Sequence, residues 1–583
     1  MRRKRMTATA AGAVVLALGL AACGGGGGGG GDEGAEAGFN AAVGGIVNKD
    51  DKPTGGELKF AMSDDIESTD PGDTYYAYNW DFTRNWARTV LAFRNEPGAA
   101  GNELTPDLAE GMGTPSEGGK VWTYKLKQGI KFEDGTPVTA KDVKYAIARS
   151  NFSDELQKGP KYFQQYLDAG DYKGPYKDKN LDNFTGIETP DDHTLVFKLK
   201  EPFGEFDYLM TIPQTAPVPA DKDTGLEYTK HPVSTGPYEF QGDYAPGKGF
   251  TLVKNENWDA ATDPLRKQMV DKITFQGGQD AQDIDNRLAS GDLHIDLAGT
   301  GVQAAKKTQI LADPSVKKQA DNPTTSFLRF FNISTKVAPF DNKACREAVQ
   351  LAADKVAIQT AWGGPTGGEI ATNAMPTTLP GYKRIDPYAT PGHKGDVAKA
   401  KAKLAECGQP NGFKTNISTR SDRPKEVQAA TALQQALAKV GIQASIKDYP
   451  SSTYTNEQAG APSFVKKEEL GIMLYGWGPD WPTGFGFFSQ ISDGRAIKPS
   501  GNSNLAELDD PRINDALDKA ASSTDQAERE KLYQQIDGWV MESATLLPFV
   551  NEKTLLYRPP SLTNMFIHEG YHMYNFTSIG VKP

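Results

Sequence analysis

The sequence predicts a mixed α/β protein built from more than one structural unit, and three observations support this prediction. The chain has 583 residues, which is more than a single hydrophobic core accommodates. Hydrophobic residues make up 38% of it and aromatic residues 10%, so sizeable cores can form. Strand-like and helix-like stretches are interspersed from Gly55 to the end of the chain, which is typical of mixed α/β proteins.

The strands are predicted where apolar and polar residues alternate, or where a short apolar run ends in turn residues. The predicted strands are 57–62, 120–127, 193–200, 442–448 and 471–475.

Apolar residues at helical spacing predict the helices. The predicted helices are 79–93, 140–150, 341–360, 397–407, 425–440 and 524–543. Thr139 is a good N-cap for the second of them, and Ser523 with Gln526 fits a capping box for the last.

The charge of the chain argues against nucleic acid as a partner. Lysine and arginine number 64 and acidic residues 75, which gives a net charge of −11. No basic block appears after Arg5, although phosphate binding needs one.

The N-terminus predicts an exported, lipid-anchored protein. A positive start is followed by the short apolar run 8–20, and residues 1–22 are therefore interpreted as a signal peptide. Leu20-Ala21-Ala22-Cys23 resembles the lipobox of bacterial lipoproteins, with a diacylglycerol on Cys23. An ordinary signal peptide with an incidental cysteine is the alternative. Residues 23–55, glycine-rich at first, are predicted to form a flexible tether to the outer face of the cytoplasmic membrane.

Two cysteines remain beyond Cys23, at positions 345 and 407. Because an exported chain sits in an oxidising compartment, Cys345 and Cys407 suggest one disulfide. Two unpaired buried thiols are the alternative.

Residues 568–572 read His-Glu-Gly-Tyr-His, the H-E-x-x-H pattern of zinc proteases. The pattern needs a helix, on which residues four apart share a face, and a third ligand. Gly570 and the aromatic residues around it favour strand and loop. None of the eleven residues after His572 is a histidine, acidic residue or cysteine. A secreted zinc peptidase using His568, Glu569 and His572 is therefore a distant alternative, and we expect no metal, no cofactor and no catalytic residue.

One stretch of the sequence is especially specific: residues 129–143 read Gly-Ile-Lys-Phe-Glu-Asp-Gly-Thr-Pro-Val-Thr-Ala-Lys-Asp-Val. Other stretches that match in order are 104–110, 122–127, 234–238, 255–258, 290–296, 339–346, 353–354 and 476–480. Together these stretches resemble one family, the peptide/nickel class (family 5) of bacterial extracellular solute-binding proteins of ABC importers. The resemblance covers roughly residues 56–583.

The resemblance implies a two-lobed, periplasmic-binding-protein-like fold (type II) with an inserted third domain and a hinge of crossing strands. Lobe I would comprise 56–92, 212–320 and 548–583. The third domain would be 93–211, and lobe II would be 321–547.

The stretch Gly476-Trp-Gly-Pro-Asp-Trp481 is the predicted ligand site. A strand that ends in a glycine-rich loop is a common place for ligands in α/β proteins. Asp480 among aromatic faces needs a cationic partner, and Trp477 or Trp481 could add a cation–π contact. By resemblance to peptide-binding members, Asp480 would hold the α-amino group of a peptide. A structural role in capping a turn or pairing with an internal arginine is the alternative.

Three further residues are predicted to contact the ligand. Tyr75 lies where the first ligand-contacting loop of the family falls; packing at the surface or in the core is the alternative. Phe331 and Asn332 lie on a strand entering lobe II, whose backbone could pair with an extended peptide; packing in the core is the alternative. The sequence departs from some peptide binders at Leu474, where those members carry an arginine.

The resemblance implies binding without a covalent step. A monomer would capture short peptides between its lobes and deliver them to permease subunits. A metal chelate, a sugar or a signalling molecule as ligand of the same fold is the alternative. Asp480 separates these alternatives, because an amine-bearing ligand needs a carboxylate and a neutral sugar does not.

Overall fold

The structure is a computed structural model that describes residues 38–582. The predicted signal peptide 1–22, the lipidation site Cys23 and the glycine run 24–31 lie outside the described residues. Among the residues that are described, no helix is both long enough and apolar enough to cross a membrane. Three main sheets, each with its own helices, confirm the mixed α/β class.

The first unit, which we call lobe I, is built on a five-stranded sheet. Across the sheet its strands are Ile295–Asp296, Glu57–Ala61, Lys272–Gln276, Phe250–Lys254 and Tyr238–Phe240. Its helices are Ala77–Thr83, Ala281–Ser290, Ala304–Ala312 and Pro314–Lys317. Phe82 lies at the centre of the core, with its ring centroid 4.6 Å from that of Phe60 and 5.9 Å from that of Phe250.

The helix predicted over 79–93 is wrong in its second half. The helix ends at Thr83, and Leu91–Phe93 is a strand that pairs with Leu104–Pro106. Val90 and Leu91 are fully buried in the core of the next unit, so tertiary packing overrides the helical spacing of these residues.

The second unit, which we call the third domain, is built on a four-stranded sheet. Across the sheet its strands are Thr114–Ser116, Val121–Lys125, Thr194–Lys198 and Ile187–Glu188. Its helices are Ala140–Asn151, Tyr162–Tyr166 and Phe206–Leu209. The Thr139 N-cap is confirmed as part of a capping box, in which the Thr139 backbone N–H donates to Asp142 Oδ2 at 2.8 Å.

The last unit, lobe II, is built on a six-stranded sheet. Across the sheet its strands are Gly368–Ile370, Leu546–Lys553, Thr324–Ile333, Ile472–Trp477, Lys414–Arg420 and Gln443–Tyr449. Its helices are Lys343–Ala352, Lys355–Trp362, Val397–Glu406, Pro424–Ala438, Ser451–Thr453, Pro462–Lys467, Gly484–Ile491, Pro511–Ser522 and Gln526–Ser543. The boundary predicted between residues 547 and 548 falls inside a strand of this sheet, so lobe II extends to Lys553.

Two further features of lobe II bear on the predictions. The structure joins Cys345 and Cys407 in a disulfide, with their Cα atoms 5.4 Å apart. The last helix begins differently from the prediction: Asp525 caps it by accepting hydrogen bonds from two backbone N–H groups, whereas Ser523 donates its hydroxyl to Glu528.

The chain crosses between the lobes beside the pair of short strands Ala320–Asp321 and Leu556–Tyr557. Buried Asp321 accepts hydrogen bonds there from Arg558 and from the Tyr574 hydroxyl, the latter at 2.8 Å. These crossing strands agree with the hinge that the resemblance implies.

Residues 38–55, which were predicted to belong to the tether 23–55, pack against the folded body. Ala42 and Val47 are fully buried. The Ala42 backbone N–H donates to Asp321 Oδ1 at 2.9 Å, and Val47 forms a bridge with Met565. A segment with few apolar residues is thus fixed by backbone hydrogen bonds and two well-placed side chains.

Candidate functional site

Asp480 lies in the loop between a buried strand and a helix of lobe II. The strand Ile472–Trp477 lies inside the six-stranded sheet and leads into the loop at its carboxyl end. The helix Gly484–Ile491 begins after Thr483, whose hydroxyl caps it by accepting a hydrogen bond from the Gly486 N–H. Pro479 and Pro482 restrict the loop between them. Asp480 is half-buried there.

The Asp480 carboxylate accepts hydrogen bonds from two phenols that belong to two other units. The Tyr75 hydroxyl of lobe I donates to Asp480 Oδ1 at 2.5 Å, and the Tyr162 hydroxyl of the third domain also donates to the carboxylate. Asp480 is therefore the point at which lobe I, the third domain and lobe II meet.

The carboxylate has no cationic partner among residues 38–582, since it takes part in none of the ion pairs there. Burial raises the pKa of Asp480, and the hydrogen bonds from Tyr75 and Tyr162 lower it in part. A desolvated carboxylate without a counter-charge is costly, so the loop is suited to bind a ligand cation.

Gly476 and Gly478 make room for two side chains from the neighbouring strand. A Cβ at 476 would lie 2.5 Å from the Arg329 guanidinium, and one at 478 would lie 3.0 Å from the Phe327 ring. Arg329 donates to Glu552 at 2.7 and 3.1 Å, and its guanidinium lies 5.0 Å from the Phe327 ring centroid. The structure thus gives Gly476 a packing role beside the site.

Phe327 is 39% exposed next to the Asp480 loop, which no feature of the sequence indicated. Ser326 before it has a positive φ of 61°, and the pairing register of the strand shifts between Thr324 and Leu328. This bulge turns the aromatic ring towards solvent in a strand whose next residues are mostly core.

Trp477 remains a candidate ligand contact. Its ring is half-buried and stacks on Tyr475 with 6.3 Å between the centroids. The buried Trp477 Nε1 has no acceptor in the described part of the chain. A buried indole N–H normally has a partner, so a ligand carbonyl could supply one.

Trp481 packs between units instead of lining the cleft, which corrects the prediction for this residue. It is 5% exposed and lies in the core of the third domain. Its ring meets that of Tyr162 edge-on at 5.3 Å, and its Nε1 donates to Glu205 Oε2 at 2.7 Å.

Phe331 and Asn332 are core residues, so their predicted ligand role is also corrected. They are 0% and 2% exposed, and the Phe331 ring lies 5.3 Å from that of Phe549. Their strand pairs with Ile472–Trp477 on one side and Leu546–Lys553 on the other. Because both edges are occupied, no peptide can be added beside Phe331 or Asn332.

Lobe I contributes an exposed aromatic surface next to Asp480. Tyr75 is 41% exposed and lies 6.0 Å from the Trp80 ring. Tyr76 is 54% exposed and stacks on Tyr78 at 5.3 Å. Tyr75 thus reaches the predicted site, whereas Tyr162, from outside every matched motif, is a contact that the sequence did not indicate.

The H-E-x-x-H stretch forms a hairpin and not a helix. His568 ends the strand Ile567–His568, which pairs with Met573–Tyr574, and His572 in the turn has a positive φ of 57°. Burial lowers the pKa of His572 to about 4 and that of His568 well below its ordinary value. Between residues 38 and 582 no group of three metal-ligating side chains forms a metal site.

Comparison with known proteins finds one matching family. A family described as bacterial extracellular solute-binding proteins, family 5 Middle, matches residues 103–498. A glutathione-binding protein of Escherichia coli O1:K1 / APEC is 27% identical over 531 residues, which cover 88% of this chain and 92% of that protein.

Solved structures share the fold over most of the chain. Clavulanic acid biosynthesis oligopeptide binding protein 2 is 41% identical with a TM-score of 0.90, and the match covers 94% of this chain and 99% of that one. DppA of Helicobacter pylori, solved with the peptide STSA, is 23% identical with a TM-score of 0.66 and coverages of 91% and 99%. The two-lobed type II fold is thereby confirmed.

Proposed function

This chain belongs to family 5 of the bacterial extracellular solute-binding proteins, and from that premise we propose that it captures short peptides for an ABC importer. Its relatives are binding proteins of transporters, so the chain is a solute-binding protein and not an enzyme. Peptide capture between the lobes and delivery to permease subunits are the proposed steps.

The observation that carries the proposal is the Asp480 carboxylate at the junction of three units. It is half-buried, it is held by the Tyr75 and Tyr162 hydroxyls, and no cation of the described residues neutralises it. The α-ammonium of a peptide would supply the missing charge as a charge-assisted hydrogen bond.

Three other features support a peptide as ligand. The unpartnered Trp477 Nε1 could donate to a peptide carbonyl. The exposed rings of Tyr76 and Phe327 offer apolar surface to side chains near Asp480. Two relatives are described as binding glutathione and oligopeptides, and both ligands carry a free amino group.

In this mechanism, hinge motion about the crossing strands closes lobe II over the ligand. Closure brings Asp480 against Tyr75 and buries the ligand ammonium. The closed form docks on the permease as a monomer, held at the outer face of the membrane by a lipid on Cys23. Replacing Cys23 by Ala removes the lipidated sulfur and should release the protein into the medium.

Native mass spectrometry of the chain from residue 32 onward, purified without added ligand, tests the proposal. Residues 38–55 are kept because they are part of the fold. We expect co-purified masses that sequence as short peptides with free amino termini. A stoichiometric sugar or metal chelate would replace the peptide proposal, and one bound zinc would point back to the H-E-x-x-H stretch.

A further inference from the structure

A second carboxylate, Glu205 of the third domain, lies at the contact with lobe II beside the Asp480 loop. Its side chain is fully buried. Glu205 Oε2 accepts hydrogen bonds from Trp481 Nε1 and the Thr483 hydroxyl, both at 2.7 Å. Glu205 Oε1 accepts one from the Tyr533 hydroxyl at 2.6 Å and lies 3.4 Å from Arg529 Nε.

All four of these partners belong to lobe II, although Glu205 belongs to the third domain. Two come from the Asp480 loop and two from the helix Gln526–Ser543. A buried carboxylate is tolerated only with several donors and a counter-charge. Glu205 has its hydrogen-bond donors and its counter-charge only while lobe II lies against the third domain. Separation of the two units would therefore remove all four partners.

The backbones also approach closely at this contact. A Cβ at Gly204 would lie 1.8 Å from the Ser523 carbonyl oxygen, and the Gly204 N–H donates to the Ala521 carbonyl at 2.6 Å. Arg529 Nη1 donates to the Ser523 carbonyl at 2.9 Å. Only glycine fits at 204, so the Glu205 contact has a fixed geometry and is not a loose surface encounter.

We propose that Glu205 is a positioning residue for Asp480. It does not touch the ligand, and it holds the Asp480 loop in place when the cleft closes. Trp481 directly follows Asp480, and Thr483 is the N-cap of the next helix. Glu205 therefore fixes the loop on one side, while Tyr75 and Tyr162 hold the carboxylate itself. This inference rests on the proposed function, because it assigns Glu205 a part in recognising the ligand ammonium.

The test compares Glu205→Ala and Glu205→Gln with a matched control, Asp207→Ala, in the full exported chain. Asp207 is half-buried two residues away, and it accepts hydrogen bonds from Tyr124 and Gly113 of its own domain. The control therefore removes a carboxylate of the third domain that makes no hydrogen bond to lobe II, although burial raises its pKa and the charge of Arg529 lowers it in part.

The first readout is the preference for a free amino terminus, measured with a random tripeptide library and its N-acetylated form. We expect Glu205→Ala to release bound tripeptides about 100-fold faster and Glu205→Gln about 10-fold faster, with similar association rates. The preference for free over N-acetylated peptides should fall in the same order. Asp207→Ala should lower the melting temperature and leave the preference intact.

The second readout needs no ligand, so it separates this inference from the proposed function. Backbone amides of residues 478–486 should exchange hydrogen about 10-fold faster in Glu205→Ala, while those of the six-stranded sheet keep their rate. If the wild-type chain binds no tripeptide, the proposed function fails and the inference is judged on exchange alone. Unchanged loop exchange in Glu205→Ala would overturn the inference, as would an unchanged preference in a chain that binds tripeptides.

Discussion

Asp480 of lobe II and three histidines of lobe I lie in opposite surroundings. Lobe II presents Asp480, half-buried and without a counter-charge, at the junction with the other units. Lobe I buries His294, His568 and His572 in its interior, where burial lowers the pKa of each. A motif-like string therefore indicates function only where its polar groups remain within reach of a ligand.

The largest expected effect is on lobe II, from replacing Asp480 by Ala or Asn. Asn keeps the size and still accepts hydrogen bonds from the two phenols, but it lacks the charge. We expect peptide affinity to fall by about 2–5 kcal/mol, because the buried ligand ammonium loses its partner. Isothermal titration with the peptides that co-purify measures this loss.

The matched control for this prediction is Asp422→Ala, a change at an exposed carboxylate of lobe II that accepts from Ser451. It should leave peptide affinity unchanged. Equal affinity in the Asp480 variants and the wild-type chain would remove Asp480 from the ligand site and with it the contrast between the lobes.

The disulfide gives lobe II a covalent constraint that the two other units lack, since the chain has only three cysteines. Cys345 and Cys407 lie 62 positions apart in the sequence. On the chain-entropy model, closing a loop of this length stabilises the fold by about 4 kcal/mol, and less where the native state is strained.

We therefore expect the double variant Cys345→Ala/Cys407→Ala to lower the free energy of unfolding of lobe II by up to about 4 kcal/mol. Hydrogen exchange in the six-stranded sheet measures this change, with the five-stranded sheet of lobe I as the internal control. Equal protection of the six-stranded sheet in both proteins would show that the disulfide constrains little.

Acid should act on lobe I before lobe II. Burial lowers the pKa of His294 to about 4, and its Nδ1 accepts a hydrogen bond from the Lys59 N–H at 3.0 Å. The neutral imidazole is thus the folded form. The contribution of His294 to the free energy of unfolding is complete above pH 6.5. It is lost as the pH falls from 6.5 towards 4, which lowers the stability by about 3 kcal/mol.

The measurement is urea unfolding of the wild-type chain at pH 7 and pH 4.5, with hydrogen exchange to locate the loss. His294→Gln should flatten the pH dependence of lobe I. His393→Gln, at the single histidine of lobe II, serves as the control because His393 is half-exposed. A pH dependence that His294→Gln leaves unaltered would assign the acid sensitivity to other groups.

Much of the fold could be predicted because alternation and helical spacing are local properties. The strand Val121–Lys125 and the helix Val397–Glu406 lie within one to two residues of their predicted ends. The strand Leu91–Phe93 was missed because its partner, Leu104–Pro106, is what makes it a strand.

From the residues alone, the candidate site was predictable only in Asp480, which follows from a glycine-rich loop at a strand end. Tyr75 was predicted through the family resemblance, and Tyr162 was not predicted, because both come from units far away in the sequence. Trp481 and Phe331 have side chains suited to ligand contact, and only burial shows that they face the interior.

The smallest expected effect concerns the contribution of lobe I to the site, tested by Tyr75→Phe. The ring and its contact with Trp80 are kept, and only the hydroxyl that donates to Asp480 at 2.5 Å is lost. A hydrogen bond to a charged group contributes about 1.5–3 kcal/mol, and water replaces part of it at an exposed residue. We expect peptide affinity to fall by about 1 kcal/mol, measured by isothermal titration.

Tyr76→Phe, whose hydroxyl has no contact with Asp480, is the control. A loss as large as that of Asp480→Ala would mean that the Tyr75 hydroxyl binds the ligand itself, and the contrast between an active lobe II and a supporting lobe I would then disappear.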